Sequence, residues 1–262
     1  MTDSGTRRAR RRSPAEASGE GRSSSYRQLR SPFLPWRVFS DDRVEALHQA
    51  ALGVLEDQGL KVLSPAARQR YRDAGATVQE DSATVRMDRG LVAECLAKAP
   101  RSITLHSRNP ERHVPLEGSA VSFAPVSGPP NVMDLAGGRR PGTLADYANG
   151  VRLCQSFDVI HVLGAFTEPL DVAVNCRQLE MLHAQLTLSD KIPHTYCRGS
   201  GQVRDCLEQV RIACGLSEQA FRNTPCTYTI INTNSPRVID VPMAEGIIDF
   251  ALAGQVQMIT PF

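Results

Sequence analysis

The sequence predicts an α/β fold: a small α+β region at the front, followed by the first part of a (β/α)8 barrel. Three observations lead there. From about Ala120, short apolar strands alternate with helical patterns four times at near-even spacing, which is the signature of βα units on a parallel sheet. Those strands are rich in Val, Ile and Thr, as strands covered on both faces are. The competing arrangement is an open doubly wound sheet. Spacing alone separates the two only narrowly, but no GxGxxG follows the first strand and no GxxxxGK[ST] occurs, so a nucleotide-binding open sheet loses its main support.

Residues 1–30 read as a disordered basic tail. Eight Arg against three acids leave this stretch at +5 and the remaining chain at −3, within a formal total of +2. With almost no apolar side chains, residues 1–25 cannot bury enough surface to offset their ordering entropy. Residues 31–118 form the α+β region. Ser40-Asp41-Asp42 opens a helix whose apolar positions Val44, Leu47, Ala51, Val54 and Leu55 are helically spaced, and Gly59 ends it. Leu60–Leu63 is a strand, and Ser64-Pro65 starts a second helix running to Gly75. Ala76–Met87 reads as a hairpin, Leu91–Ala99 as a helix stopped by Pro100, and Ile103–His106 as a strand.

Residues 119–262 form the barrel segment. The strands are Val121–Pro125, Ile160–Phe166, His194–Arg198, Thr227–Asn232 and Val256–Thr260. The helices between them start at Thr143 and cover about 173–188, 202–214 and 242–253. The sequence stops at Ile259-Thr260-Pro261-Phe262, directly after a strand, and five strands do not close an eight-stranded barrel. The expectation is an incomplete barrel with an unpaired edge.

Composition narrows the function class. A chain of 262 residues with 41% hydrophobic residues can bury a sizeable core. A mildly acidic body behind a basic tail does not resemble a nucleic-acid-binding domain. Seven Cys without a CxxC pair read as buried thiols in a reducing compartment. No apolar run of membrane-spanning length occurs, and no apolar stretch follows the Arg-rich start, so a cytoplasmic location without membrane contact is expected. The histidines His106, His113, His161, His183 and His194 show neither HxxxH nor HExxH, so no metal site is expected in the chain.

Six stretches, in order, resemble the trimethylamine methyltransferase (MttB-like) family of corrinoid-dependent methyltransferases. They are residues 99–112 (APRSITLHSRNPER), 139–147 (RRPGTLADY), 168–172 (EPLDV), 188–191 (LSDK), 231–236 (INTNSP) and 259–262 (ITPF). The resemblance covers about residues 40–262 and corresponds to the family's amino-terminal portion. It implies a (β/α)8 barrel that moves a methyl group from a methylated amine to the cobalt of a separate corrinoid protein. The amine would be trimethylamine or a quaternary amine such as glycine betaine. It also implies that the corrinoid is carried by a cognate partner protein rather than by this chain, and that the full-length form is a homo-oligomer. Founding members carry pyrrolysine in a part that lies beyond residue 262. The alternative is a non-catalytic half-barrel remnant or interaction module.

In such chemistry the methyl carbon passes in line to cobalt and the amine leaves; a quaternary ammonium departs as a neutral amine and needs no proton. The protein holds the cation, orients one methyl and excludes water. Aromatic faces and a carboxylate suit that task, and in a barrel they belong at the carboxyl ends of the strands. Candidate substrate-binding residues are therefore Phe123, Phe166, Glu168, Tyr196, Arg198, Asn232, Asn234 and Phe262, with Arg198 suited to a substrate carboxylate. Each has a plainer reading: aromatic packing, a Glu168–Arg ion pair or helix cap, a turn closed by the Asn side chains, a surface ion pair for Arg198. His194 reads as a ligand or base, or more simply as a core histidine. No catalytic residue is identified.

Overall fold

The computed structural model describes residues 28–126, 128–196, 199–234 and 236–261. Most of the predicted tail, and the candidates Arg198 and Phe262, lie outside the described residues.

The front region contains β1 (Leu29–Arg30), α1 (Asp41–Gly53), β2 (Leu60–Val62), α2 (Pro65–Asp73), β3 (Thr77–Gln79), β4 (Thr84–Arg86), α3 (Arg89–Ala97), β5 (Ile103–Leu105), β6 (Val114–Leu116) and β7 (Ala120–Val121). Its helices begin where side-chain oxygens satisfy free backbone N–H groups: Ser40, Ser64 and Asp88 each accept from the residue three positions on. α1 stops short of Gly59 because the chain continues as a π-helical turn over Val54–Gln58. Gly59 then takes φ 72°, and a Cβ there would collide with the Val85 carbonyl, so the position requires glycine twice over. β3 and β4 form the predicted hairpin, and β5 pairs antiparallel with β6.

The second region contains β8 (Asn131–Asp134), β9 (Gly138–Pro141), α4 (Leu144–Ser156), α5 (Arg177–Leu188), α6 (Ser200–Ala213), α7 (Glu218–Asn223), β10 (Tyr228–Thr233), β11 (Val238–Ile239), α8 (Val241–Leu252) and β12 (Val256–Pro261). The β8–β9 hairpin, α7 and β11 are additions to the elements read from sequence. β11 pairs parallel with β2, so the segment after β10 joins the front sheet in the order β11-β2-β4-β3.

From Phe123 onward, four parallel pairings follow chain order; the β11–β2 pair stands outside this series. Phe123 bridges Ile160, Val162 bridges Ile192, His194 bridges Tyr228, and β10 pairs with β12 over six residues. Among the described residues, the predicted strand at 160–166 and residues 194–196 are joined by isolated bridges, not continuous ladders. No reversal of strand order occurs along this series, whereas a doubly wound sheet requires one. The described residues form a mixed α/β arrangement without a closed barrel.

Two apolar layers flank these strands. On the helix side, Leu163 and Ala165 pack with Tyr147 and Val151 of α4 and Met181 and Ala184 of α5. Ile231 packs with α6 and α8 through Val203, Leu207 and Phe250. On the opposite, inner face, Val162, Ile192, Tyr228 and Val256 meet Leu105 and Val114, so the β5–β6 hairpin covers one end of that face. The hairpin is locked there by the 99–112 stretch. Asn109 Nδ2 donates to Asp190 (2.9 Å), Arg112 Nε pairs with the same carboxylate (3.0 Å), and Gln155 Nε2 donates to it from α4 (2.9 Å). Lys191 beside it is 2% exposed and donates to the carbonyls of Cys154 and Phe157 at the end of α4. Among the described residues, no helix is long and apolar enough to cross a membrane.

Candidate functional site

The carboxyl ends of the strands are built by local rules. Thr143 and Asp146 form a capping box at the start of α4, and Asp146 also takes a bidentate contact from Arg140 (2.6 and 2.8 Å). These contacts, led by Arg140, hold the Asp146 carboxyl well below its ordinary range. The 139–147 stretch is therefore a fastening that fixes the loop before α4. Gly142 extends it: its N–H donates to Pro130 O (3.0 Å) and its carbonyl accepts from Leu170 N–H (2.8 Å). Thr167 and Glu168 both bond to Pro129 O, through Oγ1 at 2.8 Å and N–H at 3.0 Å. The ends of the first two strands are zipped together in this way.

Glu168 leaves the second strand towards α5. Its carboxylate lies 3.5 Å from Arg177, the first residue of that helix. Arg177 in turn donates to Val172 O through Nε and Nη2 (3.2 and 3.0 Å). Glu168, Arg177, Gln178, Val174, Met181 and Tyr196 line one narrow recess. Gln178 Oε1 is buried there with no hydrogen-bond partner. Both Glu168 readings therefore have a footing: it pairs with an Arg, and it shares a recess with an aromatic.

Phe166 does not face that recess. At φ 31° it breaks the strand alternation, and its ring packs edge-on against Tyr147 at 5.6 Å, beneath α4. Phe123 is 44% exposed; its ring stacks on His161 at 6.3 Å, and its N–H donates to His161 Nδ1 (3.1 Å). Asn232 is exposed and accepts from Thr260 Oγ1 on the neighbouring strand. Asn234 closes the turn that its composition suggested: its backbone exchanges hydrogen bonds with Val238 (2.8 and 3.0 Å) and its Nδ2 donates to Asp240, the cap of α8. The structure thus brings Glu168 to Tyr196 in one recess, packs Phe166 against Tyr147 beneath α4, and bonds Asn232 to Thr260 and Asn234 to Val238 and Asp240.

Sequence reasoning weighed His194 and passed over Tyr228, and both lie in the centre of the inner face. His194 is 4% exposed, and its ring stands edge-on to Tyr196 and Tyr228, each 5.1 Å away. Burial pushes its pKa down to about 4, so the ring is neutral near pH 7. Its Nδ1 has no hydrogen-bond partner, while its backbone is held on both sides by the Gln185 amide (2.8 and 3.0 Å). Tyr228 donates its hydroxyl to Leu163 O (2.5 Å). The available signal was strand alternation, which puts Tyr228, Ile230 and Asn232 on one face. Among the described residues, no cluster of three or more His, Cys, Asp or Glu could hold a metal.

Comparison with known proteins places these features. The family model described as trimethylamine methyltransferase matches residues 4–262. A glycine betaine methyltransferase of Desulfitobacterium hafniense (strain Y51) is 30% identical over 225 residues, 86% of this chain and 46% of that protein. A trimethylamine methyltransferase of D. hafniense (strain DSM 10664 / DCB-2) is 27% identical over 219 residues, 82% of this chain and 44% of that protein. One from Methanosarcina barkeri is 35% identical over 72 residues, 28% and 14% of the two chains. The chain therefore spans under half the length of the first two relatives. With a family model matched across nearly every residue, and its motifs fastening the hairpin, the α4 cap and the β10 turn, the chain belongs to the trimethylamine methyltransferase family.

Proposed function

We propose that this chain is part of a (β/α)8-barrel methyltransferase that transfers a methyl group from a methylated amine to the cobalt of a corrinoid protein. The family match over residues 4–262 carries the reading. The sequential order of the parallel pairings supports the barrel, because a singly wound barrel adds each strand beside the one before it.

A corrinoid supplies a strongly nucleophilic cobalt(I) as methyl acceptor. The two histidines nearest the strand interior do not fit the role of its ligand. His161 is fully buried with Nδ1 accepting from Phe123, and His194 is 4% exposed. In this reading the cobalt is carried by a cognate partner protein, as the family resemblance implies. The chain's residues bind and orient the amine. The recess of Glu168, Arg177 and Tyr196 is about 10 Å³, room for no more than a water, so the amine would sit at its mouth, where Tyr196 would offer an aromatic face and Glu168 a negative charge to the ammonium, and Arg177 beside them a positive charge to a substrate carboxylate. Paired charges of both signs next to one ring suit a zwitterionic quaternary amine better than a simple cation. Such a substrate loses its methyl and departs as a neutral amine, so no proton donor is needed at nitrogen. The protein's remaining tasks are orientation and exclusion of water.

The test is to supply the full-length protein with reduced corrinoid protein and, in turn, trimethylamine and glycine betaine, and to follow cobalt methylation by absorbance. Methylation with glycine betaine, weakened about tenfold or more in KM by Glu168→Gln, is the expected outcome. No methylation with either amine defeats the reading; methylation untouched by Glu168→Gln defeats the assignment of the recess.

A further inference from the structure

Every residue from Pro32 to Ala51 is exposed, although the stretch is rich in large apolar side chains. Phe33, Leu34 and Trp36 are 80, 92 and 90% exposed, and Val38, Phe39, Val44 and Leu47 follow them. α1 joins the body near its end, where Leu52 is buried and Arg89 donates to Gln49 Oε1. A helix of this length is marginal in water unless its apolar face is packed, and here Val44, Leu47 and Ala51 form an open stripe. The seven large side chains expose on the order of 1,000 Å². A monomer's largest apolar patch is about 300–600 Å², and each partner of a stable interface brings about 800 Å².

The same molecule holds an apolar seat. A cavity of about 470 Å³ opens between α2, α3 and α8, lined by Leu55, Tyr71, Leu91, Leu96, Ile247 and Ile248 among others. Protein interiors rarely leave such a void unfilled. The arm does not fill it within one copy. α1 spans about 20 Å, and Leu55 at the cavity edge lies beyond its far end. Trp36 precedes Ser40 by four residues, about 14 Å of extended chain at most. Pro32 and Pro35 restrict the arm's backbone, which lowers the cost of ordering it on a partner. We propose that residues 32–40 and the apolar stripe of α1 bind a second copy of this chain, with Trp36 entering that copy's cavity. Two copies exchanging arms in this way close a symmetric pair and leave neither arm bare.

The test uses the full chain. Sedimentation across a dilution series should show a dimer that dissociates, and emission from Trp36, the one tryptophan of the 262 residues, should shift to the red as it does. Trp36→Glu on the arm and Leu96→Arg at the cavity, where Leu96 is 58% exposed, should each weaken the dimer about thirtyfold or more. Both side chains are exposed in the single copy, so its melting temperature should hold. Benzoylphenylalanine in place of Trp36, irradiated in a mixture of ¹⁵N-labelled and unlabelled protein, should link the two isotopic forms through the cavity residues. A monomer at every concentration, links confined to one chain, or a dimer indifferent to both substitutions overturns the proposal. So does a monomer whose arm links only to added corrinoid protein, which would give the arm to that partner instead.

Discussion

Replacing Gly142 by Ala should cost about 2–4 kcal/mol, and Thr167→Ala should partly rescue it. A Cβ at Gly142 would collide with Thr167 Oγ1, and would lie 3.2 Å from Thr167 Cγ2 and 2.8 Å from Glu168 O. The surroundings cannot give easily. Thr167 is 5% exposed with its hydroxyl bonded to Pro129 O, and Gly142 itself is bonded on both sides. Overpacking a tight site costs about 1–3 kcal/mol. Displacing the Thr167 hydroxyl sacrifices a buried hydrogen bond, about 1 kcal/mol more. Thr167→Ala removes both the Oγ1 and the Cγ2 obstacles and leaves only the Glu168 carbonyl. The double mutant should therefore be more stable than the sum of the singles by at least about 1 kcal/mol. Urea unfolding of the four proteins gives the coupling. Additivity within about 0.5 kcal/mol would refute the geometry of this strand end.

Lys191 offers a pH test. Burial, with Arg112 beside it, lowers its pKa from 10.5 to about 8. Between those values the unfolded chain holds a proton that the folded chain does not, so stability should rise with pH across that window by up to about 3 kcal/mol. Lys191→Met should lack that rise, and parallel pH curves for the two proteins would contradict it. Asp190→Asn should destabilise by about 2 kcal/mol, because it withdraws charge from Arg112, which is 16% exposed; a melting temperature about 4–8 °C lower is expected in calorimetry. Deleting residues 1–25 should leave the melting temperature within about 1 °C, since a segment this polar has no core to contribute; a loss of several degrees would show a docked tail.

Much of the fold was legible because its punctuation is local. Ser40, Ser64 and Thr143 cap helices as their side chains dictate, and Gly59 ends the π-helical turn that continues the first of them. β10 and β12 stand where the Val, Ile and Thr runs put them. The features that escaped depend on contacts far along the chain. β11 is two residues long and owes its existence to β2, some 177 residues earlier (Val238 against Lys61), a partner that no window of sequence contains. α7 is six residues long, too short for periodicity to declare. The family-like stretches were legible as motifs but not as roles. Asn109, Arg112, Asp146 and Asp190 stand in those stretches, and in the structure they fasten loops. A polar residue's purpose depends on which donors surround it, and the sequence does not state that.

Phe166 departs from strand alternation at one backbone angle. Strand alternation would send Phe166 to the inner face, in line with Val162 and Gly164. Instead Phe166 adopts φ 31°, an uncommon value for a bulky residue. Its ring turns out against Tyr147 and occupies the space beside Gly150, where a Cβ would meet it at 3.2 Å. Glycine inside α4 costs about 0.5–1 kcal/mol relative to alanine, and the seat it makes for the Phe166 ring offsets that. The turn also redirects the next two residues: Thr167 and Glu168 run to Pro129, and Glu168 reaches Arg177 on the helix side. The inner rim is then left to Tyr196, Asn232 and Thr260. Tyr196 belongs to both groups, since its ring meets His194 on the inner face while it also lines the Glu168 recess. A substrate that uses the carboxylate and also faces the strands' inner side has to be read through Tyr196. That residue, more than Glu168, joins the carboxylate to the inner face of the strands.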